Sequence, residues 1–151
     1  MKMPSEYGDA PEFSSDPARL DMALIHHYLA RDSYWAQGMP RATLDRAIAR
    51  SVCIGAYAGG AQAGFARVVT DEATFGYLAD VFVVEAHRGR GIARAMLAAL
   101  FDDPRLQGLR RVLLATRDAH GLYAEFGFRP LAVPARFMER HDPDVYARLS
   151  T

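Results

Sequence analysis

The segment 80–93 constrains the fold of this chain more than any other. An apolar, β-branched run passes through a short polar bend into an Arg-Gly-Arg-Gly turn, and a helix then begins. Gly89 and Gly91 let consecutive backbone N–H groups face one cavity, and the positive end of the helix dipole points to the same place. Arg88 and Arg90 add charge suited to phosphate oxygens. The segment therefore predicts a strand–turn–helix unit that binds an anion such as a pyrophosphate.

Glycine turns of this kind serve several nucleotide-binding classes, and a tight strand–helix connection without a ligand is the structural alternative. The chain lacks the Lys-Ser/Thr ending of a P-loop, and the Gly-x-Gly-x-x-Gly pattern is incomplete because position 94 is arginine. These gaps disfavour an ATP- or NAD-binding protein.

The spacing Arg88-x-x-Gly91-x-Ala93 instead resembles the acyl-CoA signature of the GNAT superfamily of N-acetyltransferases. A second segment, 119–128, resembles that superfamily's Ala-x-x-x-Tyr-x-x-x-Gly-Phe pattern, in family order and at family separation. The resemblance covers 52–140. It implies a single-domain GNAT-like α/β fold, in which a mixed central sheet with two splayed parallel strands is flanked by helices.

The resemblance also implies acetyl-CoA as the cosubstrate. Pantetheine would enter the gap between the splayed strands and pair with backbone groups there. The residues that the resemblance assigns to pantetheine are Phe82, Val83 and Val84, and those that it assigns to the pyrophosphate are Arg88, Gly89, Arg90, Gly91, Ile92 and Ala93. Many members have Asn where Thr116 stands; its hydroxyl can still make one pantetheine contact.

Composition sets the remaining bounds. The 151 residues suffice for one domain with a substantial core, and the 18 basic residues equal the 18 acidic ones, so no nucleic-acid or membrane partner is indicated. The single cysteine, Cys53, lies in an apolar run and excludes an internal disulfide, and no Cys/His cluster predicts a metal. The N-terminus lacks a signal-peptide core, so we expect a cytoplasmic protein. Homodimers are common in the superfamily, but no interface signature requires one.

Periodicity predicts a flexible lead-in over 1–12 and one N-acetyltransferase domain over 13–151. Asp16 caps a first helix that runs to about Ala30, and a loop over 32–40 leads to a second helix that ends near Arg50. Strands are predicted at 13–14, 52–58, 63–70, 75–84 and 111–116, with a turn at Gly59-Gly60 and a helix over 91–101. Asp118 is predicted to cap a short helix ended by Gly127, before a closing hairpin over 128–131 and 136–140.

Tyr123 matches the superfamily tyrosine that donates a proton to departing coenzyme A. Without that resemblance, a core aromatic residue would be the favoured interpretation. Two residues are candidates for the general base. Asp80 interrupts an apolar strand, so it faces a wet cleft or is paired, for example in a salt bridge with Arg67. His120 lies near the start of the Tyr123 helix, although exposed histidines are common at such positions.

Acceptor contacts are predicted for four residues, and one of them is Asp80, which we expect to face the acceptor cleft. Tyr34 and Trp35 lie in the loop between the first helices and offer stacking or cation–π contact to an amine. Arg67 could hold an acceptor carboxylate, with an ordinary ion pair as the alternative.

These observations together predict transfer of an acetyl group from acetyl-CoA to a small-molecule or amino-acid-like primary amine, by direct attack in a ternary complex. The alternatives are a non-catalytic acyl-CoA-binding regulatory module and an acetyltransferase acting on a protein amine.

Overall fold

A five-stranded mixed sheet forms the centre of the structure, a computed structural model that describes residues 10–150. The strands follow chain order across the sheet, and all neighbours are antiparallel except the last two, which are parallel. They are β1 Glu12–Ser14, β2 Ser51–Ala58, β3 Ala61–Thr70, β4 Phe75–Val83 and β5 Arg111–Leu113. The predicted mixed sheet is confirmed. Most of the predicted lead-in falls on residues 1–9, outside the described part of the chain.

Helices cover both faces of this sheet. They are α1 Met22–His27, α2 Arg41–Ala49, α3 Ile92–Phe101, α4 His120–Ala124 and α5 Val145–Leu149. Successive strand residues point to opposite faces, so each face has its own core. On one face, Met96, Leu97 and Leu100 of α3 pack on the sheet. On the other, Ile25 and Leu44, from α1 and α2, pack in a cluster with Phe65 and Phe82.

The predicted continuous first helix is wrong. Asp16 caps only a 3-10 turn, Pro17–Arg19, and α1 begins later, where the Asp21 carboxylate accepts the Leu24 N–H. The Asp21 N–H donates to the Gln62 side-chain oxygen at 2.7 Å, and this tertiary contact holds the break in place. After α1 the chain forms a π turn, Tyr28–Asp32, which leads into the loop that follows.

The predicted C-terminal hairpin is also wrong. Residues 128–144 pair with no strand, and Pro134–Arg136 forms a 3-10 turn. Proline has no N–H to donate to a ladder, and both Pro130 and Pro134 fall in this segment. The helix α5 near the C-terminus was not predicted.

Candidate active site

The two parallel strands, β4 and β5, lie at one edge of the sheet and part after three paired residues. Pairing between β4 and β5 runs from Phe75–Arg111 to Tyr77–Leu113 and then stops. Beyond that point, segments 78–81 and 114–119 line a cavity of about 510 Å³. The predicted strand over 111–116 therefore ends at Leu113, because the residues after it line the gap instead of pairing.

A β-bulge aims one carboxylate across this cavity. Phe65 pairs with Phe82 and Arg67 pairs with Ala79, so a single residue of β3 faces two residues of β4 there. Asp80, one of those two, has a left-handed φ of 57°, a conformation that aspartate tolerates better than most residues. The bulge shifts the alternation, and the Asp80 side chain consequently lies on the same face as that of Arg67.

Both Asp80 oxygens accept hydrogen bonds. The Trp35 indole N–H donates to Oδ1 at 2.9 Å, and Arg67 Nε donates to Oδ2 at 2.6 Å. Arg67 also donates to the Ser51 hydroxyl at 3.1 Å. The side chains of Asp80 and Arg67 are only 4% and 13% exposed. The salt bridge considered for these two residues is therefore confirmed, and it fixes the indole as well.

The loop after the π turn carries the aromatic wall of the cavity. The Ser33 hydroxyl donates to the Leu29 carbonyl and accepts from the Ala36 N–H, so the turn that presents Tyr34 and Trp35 is anchored at both ends. The Tyr34 and Trp35 rings meet edge to face, with centroids 5.0 Å apart.

Tyr34 also reaches across the cavity. Its hydroxyl accepts the Arg117 backbone N–H at 3.2 Å, and the Arg117 guanidinium lies 3.9 Å from the Tyr34 ring centroid. These contacts connect the loop after α1 to the segment after β5, on the far side of the gap. Tyr34 and Arg117 therefore form part of the rim of the cavity.

Tyr123 lies on α4 and lines the same cavity. Burial raises the pKa of its phenol above the ordinary value, and the nearby Tyr34 and Asp118 act in the same direction. Gly127, with a φ of 86°, lets the Phe128 N–H return to the Tyr123 carbonyl and close the turn after the helix. The phenol is therefore a neutral donor held on a short, closed helix.

Thr116 lies just before α4, and His120 is the first residue of this helix. The Thr116 hydroxyl accepts the Ala119 N–H at 3.1 Å. The cap predicted for Asp118 is wrong, because Ala119 is the N-cap residue of α4 and no side chain caps this helix. His120 lines a neighbouring cavity of about 400 Å³, between the segments 112–116 and 128–131. It is not among the residues lining the cavity of Trp35 and Asp80.

The glycine turn precedes α3 as predicted. Gly89 and Gly91 have φ values of 78° and 75°, and a Cβ added at either would meet nothing within 4 Å. The first backbone bond that returns from α3 is donated by Ala95 to the Gly91 carbonyl. The N–H groups of the first turn, Ile92 and Ala93 included, therefore point out of the helix end. Open space lined by such donors fits a pyrophosphate.

The two arginines of the turn contact protein groups. Arg88 donates through Nε to the Val83 carbonyl at 3.0 Å and through a terminal nitrogen to the Tyr28 hydroxyl at 2.9 Å. Arg90 lies 2.8 Å from His87 Nδ1. Arg88 thus connects the turn to β4 and to the π turn.

Two aromatic residues of the cavity, Tyr77 and Tyr146, were not predicted from the sequence. Tyr77 is the last β4 residue paired with β5, and the residue is 39% exposed. Tyr146 is on α5, a helix that was not predicted. Burial is the main cause that raises the pKa of its phenol, and the Asp80 charge adds to it. Within residues 10–150 no cluster of His, Cys, Asp or Glu could hold a metal, and no helix is long and apolar enough to cross a membrane.

Comparison with known proteins identifies the family of this chain. The model of the acetyltransferase (GNAT) family matches residues 22–128, and the chain belongs to that family. It is similar to a curated candidate acetyltransferase of Gibberella zeae, at 35% identity over 134 residues that cover 74% of this chain and 75% of the relative.

Solved structures give the same result. A GNAT-family candidate acetyltransferase of Xanthomonas campestris pv. campestris is 49% identical, with a TM-score of 0.89 over 92% of this chain and 98% of that one. A candidate acetyltransferase of Clostridium acetobutylicum, solved with acetyl-CoA, has the same fold at 16% identity, with a TM-score of 0.65 over 87% and 96% of the two chains. The family and the fold implied by the sequence motifs are therefore confirmed.

Proposed function

We propose that this protein transfers an acetyl group from acetyl-CoA to the primary amine of a small-molecule or amino-acid-like acceptor, within a ternary complex. One observation carries the proposal: β4 and β5 part between the glycine turn at the start of α3 and the phenol of Tyr123. An anion cradle, a slot and a neutral proton donor in this order would suit acetyl-CoA, and this supports the proposal.

The chain offers a consistent set of contacts for acetyl-CoA. The N–H groups of Gly91, Ile92 and Ala93 would hold the pyrophosphate. Pantetheine would lie along β4 around Phe82, because the Val84 N–H already donates to the Ala63 carbonyl and the Val83 carbonyl already accepts from Arg88. The Thr116 hydroxyl accepts from Ala119, which leaves its proton free to donate to the cosubstrate.

Acetyl-CoA, when bound, supplies an activated thioester carbonyl. Attack by the amine forms a C–N bond while the C–S bond breaks, so one proton leaves nitrogen and one reaches sulfur. Tyr123 donates the second proton, because a buried phenol stays protonated at neutral pH. For the first proton, both oxygens of Asp80 already accept hydrogen bonds and His120 lines a different cavity. We therefore infer that water accepts this proton and that Asp80 positions Arg67 and Trp35.

The cofactor site is tested by Gly91→Val. A side chain at this left-handed glycine would enter the cradle and block its N–H groups. Loss of one charge-assisted hydrogen bond costs about 1.5–3 kcal/mol, so we expect acetyl-CoA affinity measured by calorimetry to fall roughly ten- to hundredfold.

The matched control is Gly108→Val. Gly108 has a φ of 76° in a turn that lines neither the cavity nor the cradle. Gly108→Val therefore imposes the same backbone strain as Gly91→Val, but at a position away from the site. Equal acetyl-CoA affinity in a folded Gly91→Val protein and in this control would place the pyrophosphate elsewhere. An absence of acetyl-CoA binding to the wild-type protein would refute the proposed function itself.

A further inference from the structure

The formal charges inside the cavity are committed to one another. Asp80 and Arg67 lie 2.6 Å apart and are almost completely buried. A second Arg67 nitrogen donates a hydrogen bond to the Ser51 hydroxyl, and the second Asp80 oxygen accepts one from the Trp35 indole N–H. An acceptor carboxylate that approached the remaining Arg67 nitrogen would meet the Asp80 charge beside it. An acceptor ammonium would likewise meet the Arg67 charge beside the Asp80 carboxylate.

The charges at the rim are balanced too. Arg117 and Asp118 lie 3.7 Å apart, and both are exposed to solvent. The Arg117 guanidinium lies on the Tyr34 ring, where it closes the rim. Neither end of the cavity therefore presents a buried, unpaired charge to a charged substituent.

What the cavity offers an acceptor is aromatic surface. Tyr34, Trp35, Tyr77 and Tyr146 all line it. Trp35 is 42% exposed although its indole N–H is bound to Asp80, so its ring is fixed in orientation while part of its surface stays open. A fixed, partly open aromatic surface binds a flat apolar group without the entropy cost of ordering a flexible side chain.

We propose that the acceptor is an arylalkylamine, a primary amine joined by a short chain to an aromatic ring, and that it carries no carboxylate. The ring packs on Trp35 and the neighbouring tyrosines, and the amine extends toward the gap between β4 and β5. This inference rests on the proposed N-acetyltransferase function. It narrows the acceptor class from small-molecule or amino-acid-like amines to arylalkylamines without a carboxylate.

The test compares matched acceptors. Release of coenzyme A thiol is followed with phenethylamine, with phenylalanine, which adds only a carboxylate, and with an aliphatic diamine, which lacks the ring. We expect kcat/KM for phenethylamine to exceed both others by roughly tenfold or more, because burying an unpaired carboxylate is costly and an apolar pocket discriminates on apolar contact. Equal or faster turnover of phenylalanine or the diamine would overturn the acceptor class and leave the acetyltransferase function standing.

A variant pair locates the ring. Trp35→Ala should raise the KM for phenethylamine roughly tenfold and leave the KM for acetyl-CoA unchanged. Phe137→Ala, which removes an exposed aromatic ring that does not line the cavity, should change neither value. If Trp35→Ala leaves the phenethylamine KM unchanged, the ring does not bind at Trp35.

Binding can be measured without turnover, because Trp35 is the only tryptophan of the chain. In the presence of coenzyme A, we expect phenethylamine to change the indole fluorescence saturably and phenylalanine to leave it unchanged. No saturable change with phenethylamine overturns the inference even if no amine is acetylated. If acetyl-CoA also fails to bind, the proposed function fails with it.

Discussion

Removal of the Asp80 carboxylate should test the organisation of the acceptor side most directly. In Asp80→Ala, the Arg67 guanidinium stays buried at 13% exposure without its counter-charge. Breaking a buried pair on one side costs about 3–5 kcal/mol, and low exposure leaves little solvent to screen that cost. In a domain of this size 1 kcal/mol shifts Tm by about 2–4 °C, so we expect Tm to fall by roughly 6–20 °C.

The assay is urea unfolding followed by circular dichroism, with thermal unfolding beside it. The matched control is Asp45→Ala, which breaks the exposed i,i+4 pair with Arg41 and should cost less than about 1 kcal/mol. The double variant Asp80→Leu, Arg67→Met replaces both charges with apolar groups and should recover much of the loss. An Asp80→Ala protein no less stable than Asp45→Ala would refute the buried-pair reasoning.

A second Asp80 variant distinguishes a positioning role of this residue from a role as general base. Asp80→Asn retains an oxygen that can accept from Trp35 but cannot take a proton. With Asp80 as a positioning residue, we expect its effect on KM for the acceptor and kcat to be the same at every pH. A kcat loss that deepens toward low pH would instead identify Asp80 as the general base.

Three further outcomes are expected. Tyr123→Phe should lower kcat by about 10²–10⁴-fold and leave acetyl-CoA affinity unchanged. The wild-type rate should fall only above the ordinary phenol pKa, because burial raises the pKa of Tyr123. If the Phe variant turns over within about twofold of wild type while chemistry is rate-limiting, Tyr123 is only a packing residue. Cys53 should react about a hundredfold more slowly with a disulfide reagent at neutral pH in the native protein than an ordinary thiol does, because burial raises its pKa from 9.0 to about 11; fast labelling of native protein would show that the site opens. Gly64→Ala should destabilise by about 1–3 kcal/mol in urea unfolding, because its Cβ would lie 3.0 Å from the Phe82 carbonyl, whereas Gly121→Ala meets nothing within 4 Å and should not destabilise; equal stabilities would show that β3 and β4 can separate there at little cost.

The sequence by itself determined the parts whose physical cause is local. Glycines with left-handed φ values formed the turns at Gly59-Gly60 and before α3. A nearly continuous apolar run formed β2, and buried residues alternate with more exposed ones along β4. Met96, Leu97 and Leu100 follow one another at helical spacing, and they form the buried face of α3. The two spaced motifs were enough to identify the family, because they combine glycine backbone geometry with a tyrosine at a fixed distance along the chain.

Tertiary structure decided the features that depend on partners far apart in the chain. The break before α1 depends on Gln62, and the orientation of Trp35 depends on an Asp80 carboxylate 45 residues away, re-aimed by a one-residue bulge. Tyr146 joined the cavity through a helix of five residues that carries too little periodicity to be recognised. A sequence pattern records which side chains are apolar or charged; which charges neutralise each other, and thus what the cavity can bind, is set only when the strands and loops meet in space.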